Sequence, residues 1–126
     1  MIRIVVGGQL AKDEIVAAVQ KCGGDQVQVT KKGDMQAAMD IKSGAADFYL
    51  GSCQTGGGGS LAMAIALCGY NDCLTVASSG HVMSDAEIAD AVRSGKRCFG
   101  FVVESVDSVV PVLVRAMLEK KNGTEG

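Results

Sequence analysis

A cysteine and a run of glycines stand side by side in the middle of the chain. Cys53 precedes Gln54 and Thr55, and four consecutive glycines then lead to Ser60. Glycines leave backbone N–H groups unshielded, and a helix that begins near Ser60 would add its free N–H groups and partial positive charge at the same place. We therefore predict an anion-binding loop, although a tight turn or close helix packing would also use glycine. Its predicted ligand-binding residues are Thr55, Gly56, Gly57, Gly58, Gly59 and Ser60.

This glycine segment does not match the known nucleotide-binding loops. A nucleoside triphosphate site requires Gly-Lys-Ser/Thr after its glycines, and this chain has none there. In a dinucleotide site the glycines follow the first strand, whereas these glycines follow the third. Cys53 lies where a helix end would favour its thiolate, so it is a candidate catalytic nucleophile or base. The alternative for Cys53 is a small buried apolar side chain.

Other polar residues are predicted to reach the same edge of the fold. Gly7, Gly8 and Gln9 end the first apolar run, and Ser78, Ser79 and His81 follow the fourth. His81 is the second candidate catalytic residue, because an imidazole titrates near neutral pH; a solvated loop residue is the alternative. With one histidine and no C-x-x-C pair, the sequence predicts no metal site and no cofactor.

The elements that must position these residues alternate between strand and helix patterns. Apolar runs predict buried strands over 2–6, 27–30, 48–50, 74–76 and 99–103. Periodic apolar faces predict helices over 12–22 and 34–42, and further helices over 60–68, from 84, and from about 107 to 121, with Pro111 in the first turn of the last. Five βα units predict an α/β three-layer sandwich with a mostly parallel sheet of about five strands, Rossmann-like or flavodoxin-like.

Composition limits the class of protein. The 126 residues are 48% hydrophobic with a net charge of −2, which predicts one folded α/β domain over 1–121 and a frayed tail over 122–126. The weak charge argues against nucleic-acid binding. No apolar run reaches the roughly 20 residues that cross a bilayer, and the first residues do not resemble a signal peptide, so we expect a cytoplasmic protein without direct membrane insertion.

Nearly the whole chain resembles the YhfU-like family of uncharacterised bacterial proteins. The similarity is carried by 4–9, by the helix over 34–39, and by the stretch from Tyr49 to Gly51 that leads into the glycines and 61–66. This resemblance implies small-molecule metabolism or uptake, because members tend to be encoded near metabolic and transporter-like proteins. A transport-system subunit is therefore a possible partner.

A shorter segment resembles the B-type ribose-5-phosphate isomerases. Cys53 through Gly58, followed by a helix of small residues, is similar to the C-G-T-G-x-G segment of that family. The resemblance implies that Cys53 is the proton-transferring base and that the glycine loop binds substrate. The chain departs from the family pattern at Gln54, where the family has glycine, and at Gly8-Gln9, where it has an Asp-His pair.

Two hypotheses from different classes follow. The first is a protein that binds a small anionic, phosphorylated metabolite and performs an isomerase-like proton transfer. The second is a non-catalytic subunit or sensor of a small-molecule transport system. The apolar surface of the helix over 60–68 predicts a homo-oligomer in either case.

Overall fold

The computed structural model describes residues 1–54 and 59–123, and the predicted elements alternate as expected. Short β-branched and aromatic runs form the strands, and the segments with helical periodicity form the helices. The elements in chain order are β1 Ile2–Gly8, α1 Lys12–Gly23, β2 Val27–Lys31, α2 Asp34–Ser43, β3 Phe48–Cys53, α3 Ala62–Cys68, β4 Cys73–Ser78, β5 His81–Val82, α4 Asp85–Ser94, β6 Cys98–Val102 and α5 Val106–Lys121.

Within the described residues, six strands form one sheet in the order β2-β1-β3-β6-β4-β5. β2, β1, β3, β6 and β4 run parallel, and β5 pairs antiparallel with β4 at one edge. The α/β fold with a mostly parallel sheet is thus confirmed, and β5 is an addition to the five predicted strands. The division into a domain over 1–121 and a tail stays a prediction.

Helices cover both faces of the sheet, which makes the sandwich three layers thick. α1, α4 and α5 pack together on one face over a core that includes Ile4 and Phe99. α2 and α3 pack on the other face over a smaller core that includes Tyr49. The Tyr49 side chain described below therefore lies on this second face.

Local signals explain where two of the helices begin. Ser84 caps α4: its Oγ accepts a hydrogen bond from the Glu87 N–H at 3.2 Å, and its own N–H donates to the Glu87 carboxylate at 2.9 Å. Pro111 is not in the first turn of α5, because a 3₁₀ turn over Val103–Ser105 leads directly into a helix that already begins at Val106. None of the described helices combines the length and apolar character that a bilayer-spanning segment needs.

Candidate active site at the carboxyl edge of the sheet

Two of the predicted segments, Gly7–Gln9 and the residues from Cys53, meet where β1 and β3 end. The register pairs Gly7 with Gly51 and Gly8 with Ser52, so the ends of the two strands lie side by side. Cys53 is the last residue of β3 and pairs with Val102 of β6. The parallel pairing therefore brings Gly8 and Cys53 to one edge of the sheet, as the sequence predicted for ligand-binding loops.

A buried tyrosine connects this edge to the segment that follows the glycines. The Tyr49 hydroxyl accepts a hydrogen bond from the Gly8 N–H at 3.0 Å and donates one to the Ser60 carbonyl at 2.6 Å. The side chain is fully buried, and burial raises the pKa of the phenol above its usual range. Tyr49 therefore stays protonated and holds the end of β1 against the 3₁₀ turn over Gly59–Leu61.

Two glycines allow this close packing. A Cβ on Gly100 would lie 2.8 Å from Leu61 Cγ and 2.9 Å from Ser60 Oγ, so only a glycine lets the turn rest directly on β6. Gly8 has a φ of +80°, and a Cβ there would lie 2.7 Å from the Ser52 backbone nitrogen. The site thus depends on close contacts between backbone segments.

The loop after β1 is fastened to β3 as well. The N–H groups of Gln9 and Leu10 both donate to the Ser52 carbonyl, at 3.0 and 3.2 Å. The Ser52 hydroxyl donates in turn to the Leu10 carbonyl at 2.6 Å. The Gln9 amide reaches Gly59, where a Cβ would lie 3.6 Å from Gln9 Oε1, so Gln9 faces the end of the glycine segment as the sequence predicted.

Cys53 is 4% exposed. Side chains alternate along a strand, which places Cys53 on the same side of the sheet as Tyr49. The thiol therefore lies at the carboxyl edge of the sheet. Thr55, Gly56, Gly57 and Gly58 lie outside the described residues, so their predicted role stays a prediction.

The structure separates His81 from Cys53. Ser78 pairs with His81 in a β-hairpin whose turn is Ser79-Gly80. Because β6 and β4 stand between β3 and β5, His81 lies three strand spacings from Cys53, about 14 Å. His81 instead lies near Glu87, whose pKa is lowered chiefly by its hydrogen bonds with Ser84 and also by His81. Ser78 and Ser79 lie at this hairpin rather than beside Cys53.

A cleft with a volume of about 530 Å³ opens beside Gln9 at the ends of β1 and β2. Three lysines line it, together with Asp13 and Glu14. Lys31 pairs with Asp13 at 2.7 Å and Lys32 with Asp40 at 2.5 Å, and the hydrogen bond from Lys32 holds the pKa of Asp40 below its usual range. Lys12 donates to the Lys32 carbonyl at 2.8 Å, which leaves two of its ammonium donors for other acceptors.

Sequence reasoning did not single out Tyr49 or Lys12. The signal for Tyr49 was a tyrosine in a buried strand that precedes a glycine-rich loop, since a buried phenol needs a hydrogen-bonding partner. Lys12 opens the first predicted helix, three residues after Gln9.

Within the described residues, no group of histidine, cysteine and carboxylate side chains is arranged to hold a metal ion.

Comparison with solved structures identifies the fold. The type B ribose 5-phosphate isomerase of Trypanosoma cruzi superposes with a TM-score of 0.67 over 94% of this chain and 84% of its own, at 14% identity. The Thermotoga maritima enzyme gives a TM-score of 0.65 at 16% identity, over 93% of this chain and 86% of its own. The Giardia lamblia enzyme gives 0.64 at 12% identity, over 93% and 94%. This chain therefore has the same α/β fold as these proteins.

Sequence comparison gives the family. The chain is 39% identical over 114 residues to the uncharacterized protein YhfU of Escherichia coli K12, which covers 90% of this chain and 97% of that protein. The YhfU protein of Shigella flexneri matches to the same extent. Residues 2–117 match the family described as protein of unknown function DUF2620. The chain therefore belongs to the DUF2620 family.

Proposed function

We propose that the carboxyl edge of β1 and β3 binds a small phosphorylated metabolite and transfers a proton within it in an isomerase-like reaction. The observation that carries this proposal is the convergence of Gly8, Gln9, Cys53 and Ser60 at one edge of the sheet, where Tyr49 joins Gly8 to Ser60 by two buried hydrogen bonds. A thiol, an amide side chain and a glycine-rich segment thereby share one edge of the sheet.

Binding of the anion is supported by the donors around this edge. The run of four glycines ends at Gly59, which borders the Gln9 side chain. Lys12 lies in the adjoining cleft and, within the part of the chain that the structure describes, is in no ion pair. Backbone N–H groups of the glycine run would hold the phosphate, and Lys12 would add a positive charge nearby.

Proton transfer is supported by the position of Cys53. Its thiolate would remove a proton from a hydroxyl-bearing carbon beside a carbonyl, and the protonated thiol would return it to the former carbonyl carbon. The hydroxyl proton would pass to the former carbonyl oxygen, so that the carbonyl and hydroxyl groups exchange places with no net oxidation. Backbone N–H groups would stabilise the negative oxygen that forms between these steps. His81 has no role in this step, because about 14 Å separates it from Cys53.

The fold supports a sugar phosphate as the substrate class. The structural neighbours described above are named ribose 5-phosphate isomerases, and the sequence of this chain resembles them at Cys53 and Gly56. The Asp-His pair of that family is replaced here by Gly8-Gln9. We therefore propose an open-chain substrate, since this chain lacks the groups that would open a sugar ring.

Exposed apolar side chains support a homo-oligomer. Met35 and Met39 of α2 are 57% and 47% exposed, and Tyr70 is 75% exposed, all on the side of α2 and α3. Light scattering is expected to give a multiple of the 12.9 kDa chain mass. A molar mass equal to one chain at micromolar concentration would contradict this expectation.

These exposed apolar residues also favour the second candidate, a non-catalytic subunit or sensor that docks on a transport component. The two candidates differ in what happens to a bound ligand. The sensor binds the metabolite and leaves it unchanged, whereas the enzyme exchanges its carbon-bound proton with solvent.

The test of the proposed function has two stages. Thermal unfolding with sugar phosphates, carboxylates and inorganic phosphate identifies a ligand, and one present at about 100 times its dissociation constant stabilises by roughly 2.7 kcal/mol. NMR in deuterated water then follows exchange of its carbon-bound proton. We expect exchange with the parent protein and none with Cys53→Ala, which should still bind. A ligand that binds without exchange would select the sensor, and no stabilisation by any phosphorylated compound would refute both.

A further inference from the structure

Three of the five cysteines come together on the face of the sheet that α3 covers. Cys73 begins β4 and Cys98 begins β6, and the two residues are paired in the parallel register. Cys68, at the end of α3, packs against the same buried cluster as Cys73 and Cys98, and its thiol donates to the Ala38 carbonyl at 3.5 Å. The packing and the strand register therefore bring these three cysteines into one cluster.

The backbone geometry of Cys73 and Cys98 suits a disulfide. Paired residues on neighbouring strands lie about 4.8 Å apart in the direction of the hydrogen bonds. Cα separations of about 4.4–6.8 Å are usual for disulfides, and both side chains point to the same face. The Cys73 thiol donates a hydrogen bond to the Gly69 carbonyl at 3.5 Å, and Cys98 faces it from the neighbouring strand.

The two thiols differ in access. Cys98 is completely buried, whereas Cys73 is 5% exposed and lines a surface pocket of about 210 Å³ between Ile65, Tyr70 and Thr75. A molecule as small as hydrogen peroxide can reach Cys73 through this pocket. Because Cys98 is buried, it is positioned to react only with the sulfenic acid that has formed on Cys73.

The surroundings of the two thiols shift their pKa values in opposite directions. A hydrogen bond from Cys98 lowers the pKa of the Cys73 thiol, and Lys96 and Arg97 lower it further by smaller amounts. Burial and Asp72 raise it, but the net shift is downward. The same hydrogen bond raises the pKa of Cys98, as does its burial. Cys73 is therefore the thiol that ionises first and attacks an oxidant.

We propose that Cys73 and Cys98 form a peroxide-sensitive thiol pair, in which Cys73 is oxidised first and Cys98 then closes a reversible disulfide. This modification site is separate from the carboxyl edge and does not depend on the proposed function.

The reaction balances with one hydroperoxide as the oxidant. The Cys73 thiolate attacks one peroxide oxygen, so that an S–O bond forms, the O–O bond breaks and hydroxide leaves, taking up a proton to give water. Cys98 then attacks the sulfur of the sulfenic acid; the S–S bond forms, the S–O bond breaks, and the proton of Cys98 leaves with the hydroxyl group as a second water. Two thiols are oxidised and one peroxide is reduced.

Peptide mapping tests the pair directly. The Cys22→Ser protein, which lacks the exposed thiol of α1, is treated with hydrogen peroxide, quenched with catalase, denatured in iodoacetamide and digested with trypsin. Trypsin releases Cys98 in the peptide 98–115 and Cys73 in the peptide 43–93. We expect these peptides to be joined by a disulfide that dithiothreitol cleaves.

Single variants assign the bond, because the peptide 43–93 also contains Cys53 and Cys68. Cys73→Ala should abolish the linked peptide, while Cys68→Ala and Cys53→Ala should retain it; circular dichroism checks that each variant is folded. A link that persists in Cys73→Ala, or Cys98 recovered fully alkylated after peroxide treatment of the Cys22→Ser protein, would overturn the proposal. The second outcome requires only the Cys22→Ser change.

Discussion

Gly8→Ala is expected to destabilise the protein by about 2–5 kcal/mol. Gly8 has a φ of +80°, where an L-residue other than glycine costs about 1–2 kcal/mol. The new Cβ would also lie 2.7 Å from the backbone nitrogen of Ser52 and 2.9 Å from the Cα of Gly51. These are backbone atoms of the neighbouring strand, so relieving the overlap requires moving the strand, which adds about 1–3 kcal/mol.

Gly44→Ala is the matched control for this change. Gly44 has nearly the same φ, +84°, but no atom lies within 4 Å of the position that its Cβ would take. Urea denaturation should therefore show only the backbone cost for Gly44→Ala, about 1–2 kcal/mol. Equal losses for the two variants would mean that β1 and β3 do not approach each other as described.

Tyr49→Phe is expected to cost about 1–3 kcal/mol, although the two side chains have nearly the same volume. The change leaves the buried Gly8 N–H without the acceptor it has at 3.0 Å and removes the donor to the Ser60 carbonyl at 2.6 Å. Tyr70→Phe is the control, because Tyr70 is 75% exposed and its hydroxyl can be replaced by water. If both variants unfold at the same urea concentration, the Tyr49 hydroxyl does not fasten the site.

The pH dependence of stability gives Tyr49 a second signature. Burial raises its pKa in the folded protein, whereas the unfolded chain loses this proton near pH 10. Above that pH the folded state holds one more proton than the unfolded state, so stability falls as pH rises. The parent should lose up to about 1.4 kcal/mol per pH unit more than Tyr49→Phe in this range.

The sequence was sufficient for the fold because each signal was local. β-branched runs, periodic helices and the capping pair Ser84 and Glu87 each report on a few neighbouring residues, and βα alternation then leaves few topologies. The short strand β5 was missed, although Ser79-Gly80 is typical of a two-residue hairpin turn. The order of the strands could not be predicted, because it depends on contacts between distant segments.

The candidate site was predicted only in those parts that depend on local signals. Gly8 and Cys53 were placed at the carboxyl edge because both follow apolar runs that were identified as parallel strands. Tyr49 was not identified, because its partners Gly8 and Ser60 lie 41 and 11 residues away. His81 was grouped with Cys53 by its position after a strand, and only the strand order shows that two strands separate them.

The thiol cluster illustrates the same limit at another place. Cys73 and Cys98 are 25 residues apart in sequence and share no motif. Their pairing follows from the parallel register of β4 and β6, together with the way Cys73 opens onto a pocket. Neither fact can be read from composition or spacing.

The most direct test of the central claim is a calorimetric titration of the phosphorylated ligand into Gly59→Asp and Gly59→Asn. Gly59 is exposed, and the nearest atoms to a Cβ there belong to the Gln9 side chain, at ordinary contact distances of 3.6–3.9 Å. Both variants should therefore fold, and they differ by one charge beside the proposed phosphate. We expect Gly59→Asn to bind within a fewfold of the parent and Gly59→Asp to bind at least about tenfold more weakly, a difference of about 1.4 kcal/mol. Equal affinities in the two variants would show that the anion does not bind at this edge.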